Sequence, residues 1–219
     1  KINILKGASI SSWSRLEDQL DIIVVNLHEK LPIGERIKIQ LEYLVKIPDD
    51  KFSGIGINSS DGFLIRDLFV SIAPRYDGEW LLNSNLGFRD YSSLPSNYQF
   101  NWKYPDKYTL LTNLNEISSN TDLKSYQKTT VHKDENIISP EFIFDLNNSF
   151  KTITINDNFS VITDILSTKN VEVDIKKSIE KIDNFTRQIL NSIPNKKLLI
   201  LRKDYSRNPI VGISQALAF

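Results

Sequence analysis

The sequence predicts a mainly β protein, built as an antiparallel β-sandwich or a saddle-like curved sheet with one long C-terminal helix. Apolar residues make up 40% of the 219 residues and charged residues 25%, which provides enough apolar surface for a buried core. About ten short segments alternate apolar and polar residues or form short apolar runs between turn residues, as strands do. Only one stretch has helical spacing. Because no helices separate the other strands, parallel β-α-β packing is not expected.

The predicted strands follow one another from residue 20 onward, and the first two of them are expected to form a hairpin. Residues 36–47 alternate, with Ile37 and Val45 at the two ends of one apolar face. The preceding linker contains Pro32 and Gly34, which are turn residues. The predicted strands are residues 20–27, 36–47, 63–73, 98–104, 108–112, 125–133, 141–146, 149–155, 159–165 and 196–202.

Turn residues also separate the later strands. Residues 98–104 alternate strictly, and Pro105-Asp106 divides them from the next strand. Asn147-Asn148 divides the strands on either side of it in the same way. Residues 75–97 are the main irregular stretch. We expect one β-rich domain over residues 1–219.

The helix is predicted over about residues 174–193 from its apolar spacing. Its apolar stripe consists of Ile175, Ile179, Ile182, Phe185, Ile189 and Ile193, and Pro194 ends it. We expect this stripe to pack on a sheet as core rather than to form an interface. The Ile182→Asp substitution should therefore cost several kcal/mol, as a buried unpaired charge does. Deleting residues 210–219 should cost little of the fold.

Composition excludes several classes of function. Lys and Arg number 27, as do Asp and Glu, so the chain lacks the basic excess of a nucleic-acid binder. No apolar run reaches the ~20 residues that a membrane span needs. There is no Cys, which excludes disulfides, thiolate zinc sites and a cysteine nucleophile. The missing Cys and the missing initiator Met favour a periplasmic or otherwise extracytoplasmic location.

The two histidines do not form a metal-binding pattern. His28 and Glu29 begin like the zinc motif H-E-x-x-H, but Pro32 follows where the helical turn must continue, and no second His comes. His132 lies beside Asp134 and Glu135 and is expected in a solvated charged turn. No G-x-S-x-G segment is present either. We therefore predict no catalytic residue, no metal ligand and no cofactor in this chain.

Aromatic residues are concentrated in the irregular stretch 75–97. They are Tyr76, Trp80, Phe88 and Tyr91. Such side chains can form a ligand-binding surface. They can equally cover one end of a β-sandwich, and the sequence leaves both alternatives open.

Several stretches follow one another in the order of a known domain. They are residues 31–35 (LPIGE), 41–48 (LEYLVKIP), 73–75 (APR) with Trp80 and 88–90 (FRD), 102–108 (WKYPDKY), 142–144 (FIF), 174–193 and 197–201. This order resembles the N-terminal domain of the M1 family of zinc metallopeptidases, the gluzincin aminopeptidases. The resemblance covers nearly the whole chain.

The resemblance implies a non-catalytic chain. In that family this domain packs on the catalytic domain of the same parent protein and walls one side of the peptide-substrate cleft. Zinc is then expected only in that catalytic domain, toward which residues 210–219 would lead. The family motif G-x-M-E-N falls near Gly212, where this chain reads GISQA and has no Glu for a substrate amino group. The candidate substrate-binding residues are Gly212 and Gln215, which lie at the position of this motif, and Tyr76 and Trp80, which lie in the aromatic stretch.

Two hypotheses of different class follow from these patterns. The first is the accessory domain of an M1-like peptidase, with peptide as a possible ligand. The second is a stand-alone β-sandwich binding or adhesion module that holds a ligand with its aromatic loop. The residues that follow Phe219 in the parent protein distinguish the two, because an H-E-x-x-H segment there supports the first.

Overall fold

The helices and strands described below are those of a computed structural model of the chain. It describes residues 2–6, 9–19, 21–51, 55–58, 61–66, 69–82, 94–156, 159–165, 169–190 and 197–200. In chain order they are β1 (Ile2–Lys6), β2 (Ile10–Arg15), β3 (Ile23–Leu27), β4 (Lys38–Leu41), β5 (Gly56–Ile57), β6 (Phe63–Arg66), β7 (Arg75–Tyr76), β8 (Glu79–Trp80), β9 (Ser96–Pro105), β10 (Thr109–Thr112), β11 (Asn115–Asp122), β12 (Gln127–Ile137), β13 (Glu141–Asp145), β14 (Lys151–Asn156), β15 (Phe159–Thr163), α1 (Lys169–Leu190) and β16 (Lys197–Ile200).

These elements confirm the predicted fold class. The described part of the chain is mainly β with antiparallel sheets, and it contains one helix and no closed barrel. It divides into two compact units, Lys1–Lys46 with Ser71–Leu94 and Ile47–Val70 with Pro95–Phe219. The single domain expected over residues 1–219 stays a prediction.

In its described residues, the first unit contains three antiparallel strand pairs, β1–β4, β2–β3 and β7–β8. The predicted hairpin between residues 20–27 and 36–47 is therefore wrong, because β3 pairs with β2 and β4 pairs with β1. Strand β4 also ends at Leu41, and Tyr43 and Leu44 beyond it are exposed. Sequence reasoning left residues 2–15 unassigned, so the two strands that take up these pairings were missing from the prediction.

The second unit is organised around a four-stranded sheet in the order β10-β13-β6-β5, which we call the central sheet. All five residues of β13 are buried. Phe142 and Phe144 join a core on one face of the sheet, and Ile143 joins a second core on the other face. A strand that is buried on both faces reads as a continuous apolar run, which explains the sequence EFIFD.

A three-stranded sheet, β11-β12-β9, covers one face of the central sheet and is called the front sheet here. The alternating aromatic residues of β9 all join the core between the two sheets; they are Tyr98, Phe100, Trp102 and Tyr104. The ring centroids of Phe100 and Trp102 lie 4.7 Å and 4.8 Å from that of Phe142, in edge-to-face geometry. This is the packing that aromatic quadrupoles favour. The alternation of residues 98–104 thus predicted both the strand and its buried face.

The other face of the central sheet contacts the third sheet of this unit, β14-β15-β16. Leu64 and Ile143 of the central sheet pack against Ile162 of β15 and Leu199 of β16. The opposite face of the third sheet carries α1, with Ile179 at the centre of the contact. The described part of the second unit is therefore a stack of three sheets and one helix.

One pair of strands departs from the expected antiparallel arrangement. Strands β15 and β16 are parallel, and α1 forms the crossover between them. A parallel pair needs such a long connection, since a tight turn can join only antiparallel neighbours. The expectation that β-α-β packing is absent is thus wrong for this element, because the final predicted strand returns beside β15.

The helix differs from its prediction in extent and in orientation. It covers Lys169–Leu190 rather than 174–193, and Ile193 lies outside the described residues. Ile175, Ile179 and Ile182 pack on the third sheet as expected. Phe185 and Ile189, however, are 64% and 61% exposed, so the stripe is not core along its whole length.

Polar contacts explain this change of face in the second half of α1. Asp183 and Thr186 are buried there instead of Phe185 and Ile189. Asp183 accepts hydrogen bonds from Asn156 of β14 at 3.3 Å and from Arg187 at 3.0 Å. A buried carboxylate requires such partners, and Asn156 provides one from the sheet beneath the helix.

A buried ion pair joins the two middle strands of the central sheet. Arg66 and Glu141 are partners in the β6–β13 register, and Arg66 Nε lies 2.8 Å from Glu141 Oε1. Their side chains are only 6% and 0% exposed. Asn113 supports the pair, because its Oδ1 accepts the Glu141 amide at 3.0 Å and its Nδ2 donates to the Ser139 carbonyl at 2.9 Å.

We predict that Arg66→Met lowers the free energy of unfolding by about 3–5 kcal/mol, because it leaves the Glu141 carboxylate buried without its cation. Urea denaturation measures this loss. The matched control is Lys133→Met, which removes an exposed ion pair of 3.8 Å with Glu135 and should cost less than about 1 kcal/mol. Equal losses in the two variants would contradict the role of the buried pair.

We also predict that the two sides of α1 respond differently to truncation. Ile179→Ala should cost roughly 2–5 kcal/mol, because it leaves a cavity against the third sheet. Phe185→Ala removes an exposed ring and should change the stability by less than about 1 kcal/mol. Thermal and urea melts of both variants check this, and a larger loss for Phe185→Ala would show that this ring is core.

Candidate functional site

The hairpin β7–β8 contains two of the predicted site residues, Tyr76 and Trp80. Its turn is Asp77-Gly78, and both residues have positive φ, 48° and 84°. Two successive positive φ angles define the type I′ turn that suits a two-residue hairpin, and Gly tolerates this conformation best. Arg75 closes the hairpin: its Nε donates to the Gly78 carbonyl at 2.8 Å, and its guanidinium lies 5.7 Å from the centre of the Trp80 ring.

The register of this hairpin separates the two aromatic residues. Arg75 pairs with Trp80 and Tyr76 pairs with Glu79, so Tyr76 and Trp80 project from opposite faces. Both side chains are exposed, at 75% and 53%. A ligand on one face of the hairpin can therefore contact only one of the two rings. The other proposed site residues, Gly212 and Gln215, and the aromatic residues Phe88 and Tyr91 lie outside the described residues.

A second candidate site is the set of titratable side chains around His132 on the front sheet. The prediction of a solvated charged turn is wrong for this residue, because His132 lies within β12 and is 2% exposed. Its Nε2 lies 3.0 Å from the hydroxyl of Thr130, which is fully buried. In the described part of the chain, its Nδ1 has no hydrogen-bond partner.

Among the described residues, three charged side chains from three strands act on the charge of this imidazole. Burial lowers the pKa of His132 below its ordinary value of 6.5, Glu116 of β11 acts to raise it, and Lys197 of β16 and Lys128 of β12 lower it further. Glu116 is the register partner of His132 across the β11–β12 pair. We call Glu116, Lys128, Thr130, His132 and Lys197 the His132 cluster.

Besides Lys128, Lys197 is a partly buried cation of the His132 cluster. Its Nζ donates to the Leu114 carbonyl at 3.0 Å, and Leu114 is fully buried in the turn between β10 and β11. Burial lowers the pKa of Lys197, whereas Asp134 and Glu116 act to raise it. The ammonium thus joins β16 to the front sheet through a single backbone carbonyl.

The surroundings of His132 disfavour the protonated form of its imidazole. An imidazole with one nitrogen bonded to a hydroxyl and the other without a partner has no second acceptor to stabilise its cation. Tyr104 of β9 lies near this cluster: burial raises the pKa of its phenol, Thr130 lowers it and Glu116 raises it, while its hydroxyl has no hydrogen-bond partner among the described residues.

Sequence reasoning identified His132 but missed Glu116 and Lys197. The available signal was the strand predicted over residues 125–133, because Lys128, Thr130 and His132 alternate onto one face of it. Lys197 could not be assigned to the cluster, since its approach depends on the β15–β16 pairing.

Neither comparison of sequences identifies a relative: no protein-family model matches the chain, and no curated protein matches it. Among the described residues, no group of three or more His, Asp or Glu side chains could hold a metal ion. Over the same residues, the helix is not long and apolar enough for a membrane span.

We predict an acid-dependent loss of stability that depends on His132. Its pKa is lowered in the folded state, so the unfolded chain binds the proton more readily. The free energy of unfolding should therefore fall as the pH falls through about 6.5. At higher pH, His132 should cause no such loss of stability. Urea denaturation over a series of pH values measures the slope.

The control for this prediction is the second histidine. His132→Gln should remove part of the acid-dependent slope, whereas His28→Gln, which changes an exposed residue after β3, should leave the slope unchanged. If the His132→Gln variant loses stability on acidification as steeply as the unmodified protein, the imidazole is not the group that titrates.

Proposed function

We propose that this chain is the non-catalytic N-terminal β domain of an M1-like zinc metallopeptidase. It packs on the catalytic domain of its parent protein and walls one side of the peptide-substrate cleft. The observation that carries the proposal is the order of strands and turns, which agrees with the order of segments in that family. Zinc and the catalytic residues belong to the catalytic domain in this proposal.

The N-terminal stretch of the resemblance supports the proposal in part. Residues 31–35 lie between β3 and β4, and the Glu35 amide closes a turn onto the Pro32 carbonyl at 3.1 Å. This is the strand, loop and strand order of the family. The departure is β4, which ends at Leu41 instead of continuing to Pro48.

The later stretches support the proposal more fully. Residues 102–108 form the end of β9 and its turn, where the Tyr108 amide donates to the Pro105 carbonyl at 3.2 Å. Residues 142–144 lie within β13, and the helix and last strand of the resemblance agree with α1 and β16. The order of elements therefore favours the peptidase-domain proposal over a fold with no relation to that family.

An apolar surface on α1 gives the domain a place to contact a partner. Phe185 and Ile189 are one helical turn apart and both are exposed. Apolar side chains that are exposed side by side are typical of interaction sites. We assign this pair to the contact with the parent's catalytic domain.

The alternative is a stand-alone binding module, and the exposed β7–β8 hairpin favours it. Trp80 has Arg75 against one face of its ring, so its other face is the one that a ligand could stack on. Tyr76 projects from the opposite face of the hairpin and cannot join the same contact. This arrangement suits one aromatic contact rather than the broad surface that the sequence suggested.

The decisive experiment is a comparison of this chain with the extended parent protein. We expect the extended protein to contain an H-E-x-x-H segment after Phe219, to bind zinc and to cleave peptides. The 219-residue chain alone should bind no stoichiometric zinc and show no peptidase activity. Tight zinc in the isolated chain, or turnover that survives repurification, would contradict the proposal, as would a parent without the zinc motif.

A docking variant tests the assigned contact. The separately expressed catalytic part should co-purify with this chain, and Phe185→Asp should weaken that association by placing a charge on the apolar pair. Asn184→Asp is the matched control, because it adds the same charge at the neighbouring exposed position. Equal association of both variants would place the contact elsewhere.

A further inference from the structure

Strand β16 is held in the second unit by its pairing with β15, by the burial of Leu199 in the core against the central sheet and by one side-chain hydrogen bond. It has four residues, and within the described residues it pairs only with β15. Its first residue, Lys197, adds the hydrogen bond from Nζ to the Leu114 carbonyl at 3.0 Å. Leu114 belongs to the turn that leads into the front sheet, so this bond attaches β16 to a second sheet.

We propose that His132 and Lys197 form an acid-sensitive clasp that holds β16 against the front sheet at neutral pH and releases it when His132 is protonated. The inference goes beyond the proposed function and does not depend on it.

The charges around His132 explain why protonation should act on Lys197. Glu116 is the register partner of His132 across the β11–β12 pair, and Lys197 donates to the carbonyl of Leu114, two residues before Glu116. The charges of Glu116, Lys128 and Lys197, from β11, β12 and β16, all act on the imidazole. Lys197 itself faces Asp134 and Glu116. A proton on His132 therefore adds a cation beside Lys197, and the two then share the Glu116 carboxylate. Glu116 is exposed, so water screens its attraction for both.

The hydrogen bonds of His132 favour opening in the same direction. Neutral imidazole needs one donor and one acceptor contact, and Nε2 already contacts Thr130. Imidazolium has two N–H donors, and Nδ1 has no acceptor among the described residues. The cation can gain that acceptor from water if the structure opens, and departure of the Lys197 ammonium removes the nearby positive charge in the same step.

Proton binding and strand release are therefore linked in both directions. If protonation of His132 favours release of β16, release must raise the affinity of His132 for the proton. A clasp differs from general acid unfolding because β16 should lose protection on acidification while β6 and β13 keep theirs. The linkage also predicts that removing the charge of Lys197 raises the pH at which His132 titrates.

The first test needs no substitution at His132 or Lys197. The chain contains two histidines, so NMR should show two imidazole titrations, which His28→Gln assigns. We expect the His132 signal in the folded protein to titrate below 6.5, the ordinary value. Hydrogen exchange should then show the protection of the β16 amides falling on the order of tenfold between about pH 7.5 and about pH 5, relative to the amides of β6 and β13.

Two variants separate the clasp from a merely structural role. His132→Gln should retain β16 protection at low pH, and Lys197→Met should lower β16 protection at both pH values while raising the pH of the His132 titration. Lys128→Met is the matched control, because it removes a cation near His132 without touching β16, and it should leave the acid-dependent release in place. Titration of His132 at or above 6.5, or equal acid loss of β16 protection in His132→Gln and the unmodified protein, would overturn the proposal. If the variants do not fold, the titration of the unmodified protein still decides.

Discussion

The buried pair of Arg66 and Glu141 constrains the second unit more than any other single contact. It fixes the β6–β13 register, because a slip of one residue would leave two charges in an apolar interior without each other. The same register decides which face of β13 presents Phe142 and which presents Ile143. Both cores of the three-sheet stack therefore depend on an ion pair that belongs to neither. Asn113 extends the constraint to the turn before β11, where Leu114 receives Lys197.

Other junctions in this unit follow the same physical pattern, in which a buried polar group determines how apolar elements meet. Asp145 organises the turn between β13 and β14, where it accepts bonds from the Ser149 hydroxyl at 2.8 Å and the Asn147 amide at 3.2 Å. Asp183 sets the face that α1 presents to β14. Such groups add little net stability, but a wrong arrangement would leave them unpaired, so they select one arrangement of layers.

The sequence predicted those parts of the fold in which apolar periodicity is strong, such as residues 98–104 and the first half of α1. It could not predict β11, whose residues are all exposed and, apart from Ile117, polar, since such a strand has no apolar face. The Asp77-Gly78 turn was a recognisable hairpin signal that the surrounding aromatic residues obscured. Tyr76 and Trp80 could be proposed as candidate site residues from the sequence. Their projection from opposite faces of the β7–β8 hairpin could not be predicted. His132 was visible, but its burial depends on pairing with β9 and β11, which local sequence does not specify.

The β15–α1–β16 crossover has a consequence for how this layer assembles. The hairpin β14–β15 closes over a few residues, whereas Ser160 of β15 pairs with Lys197 of β16 across the whole helix. Closing a long loop costs more chain entropy, and parallel pairing returns that cost only after the connection is ordered. We therefore expect the helix to dock on the β14–β15 hairpin before β16 pairs with β15. Accordingly, we expect β16, which has the fewest bonds in this layer, to join it last. For the same reason, we expect local opening of this layer to begin at β16.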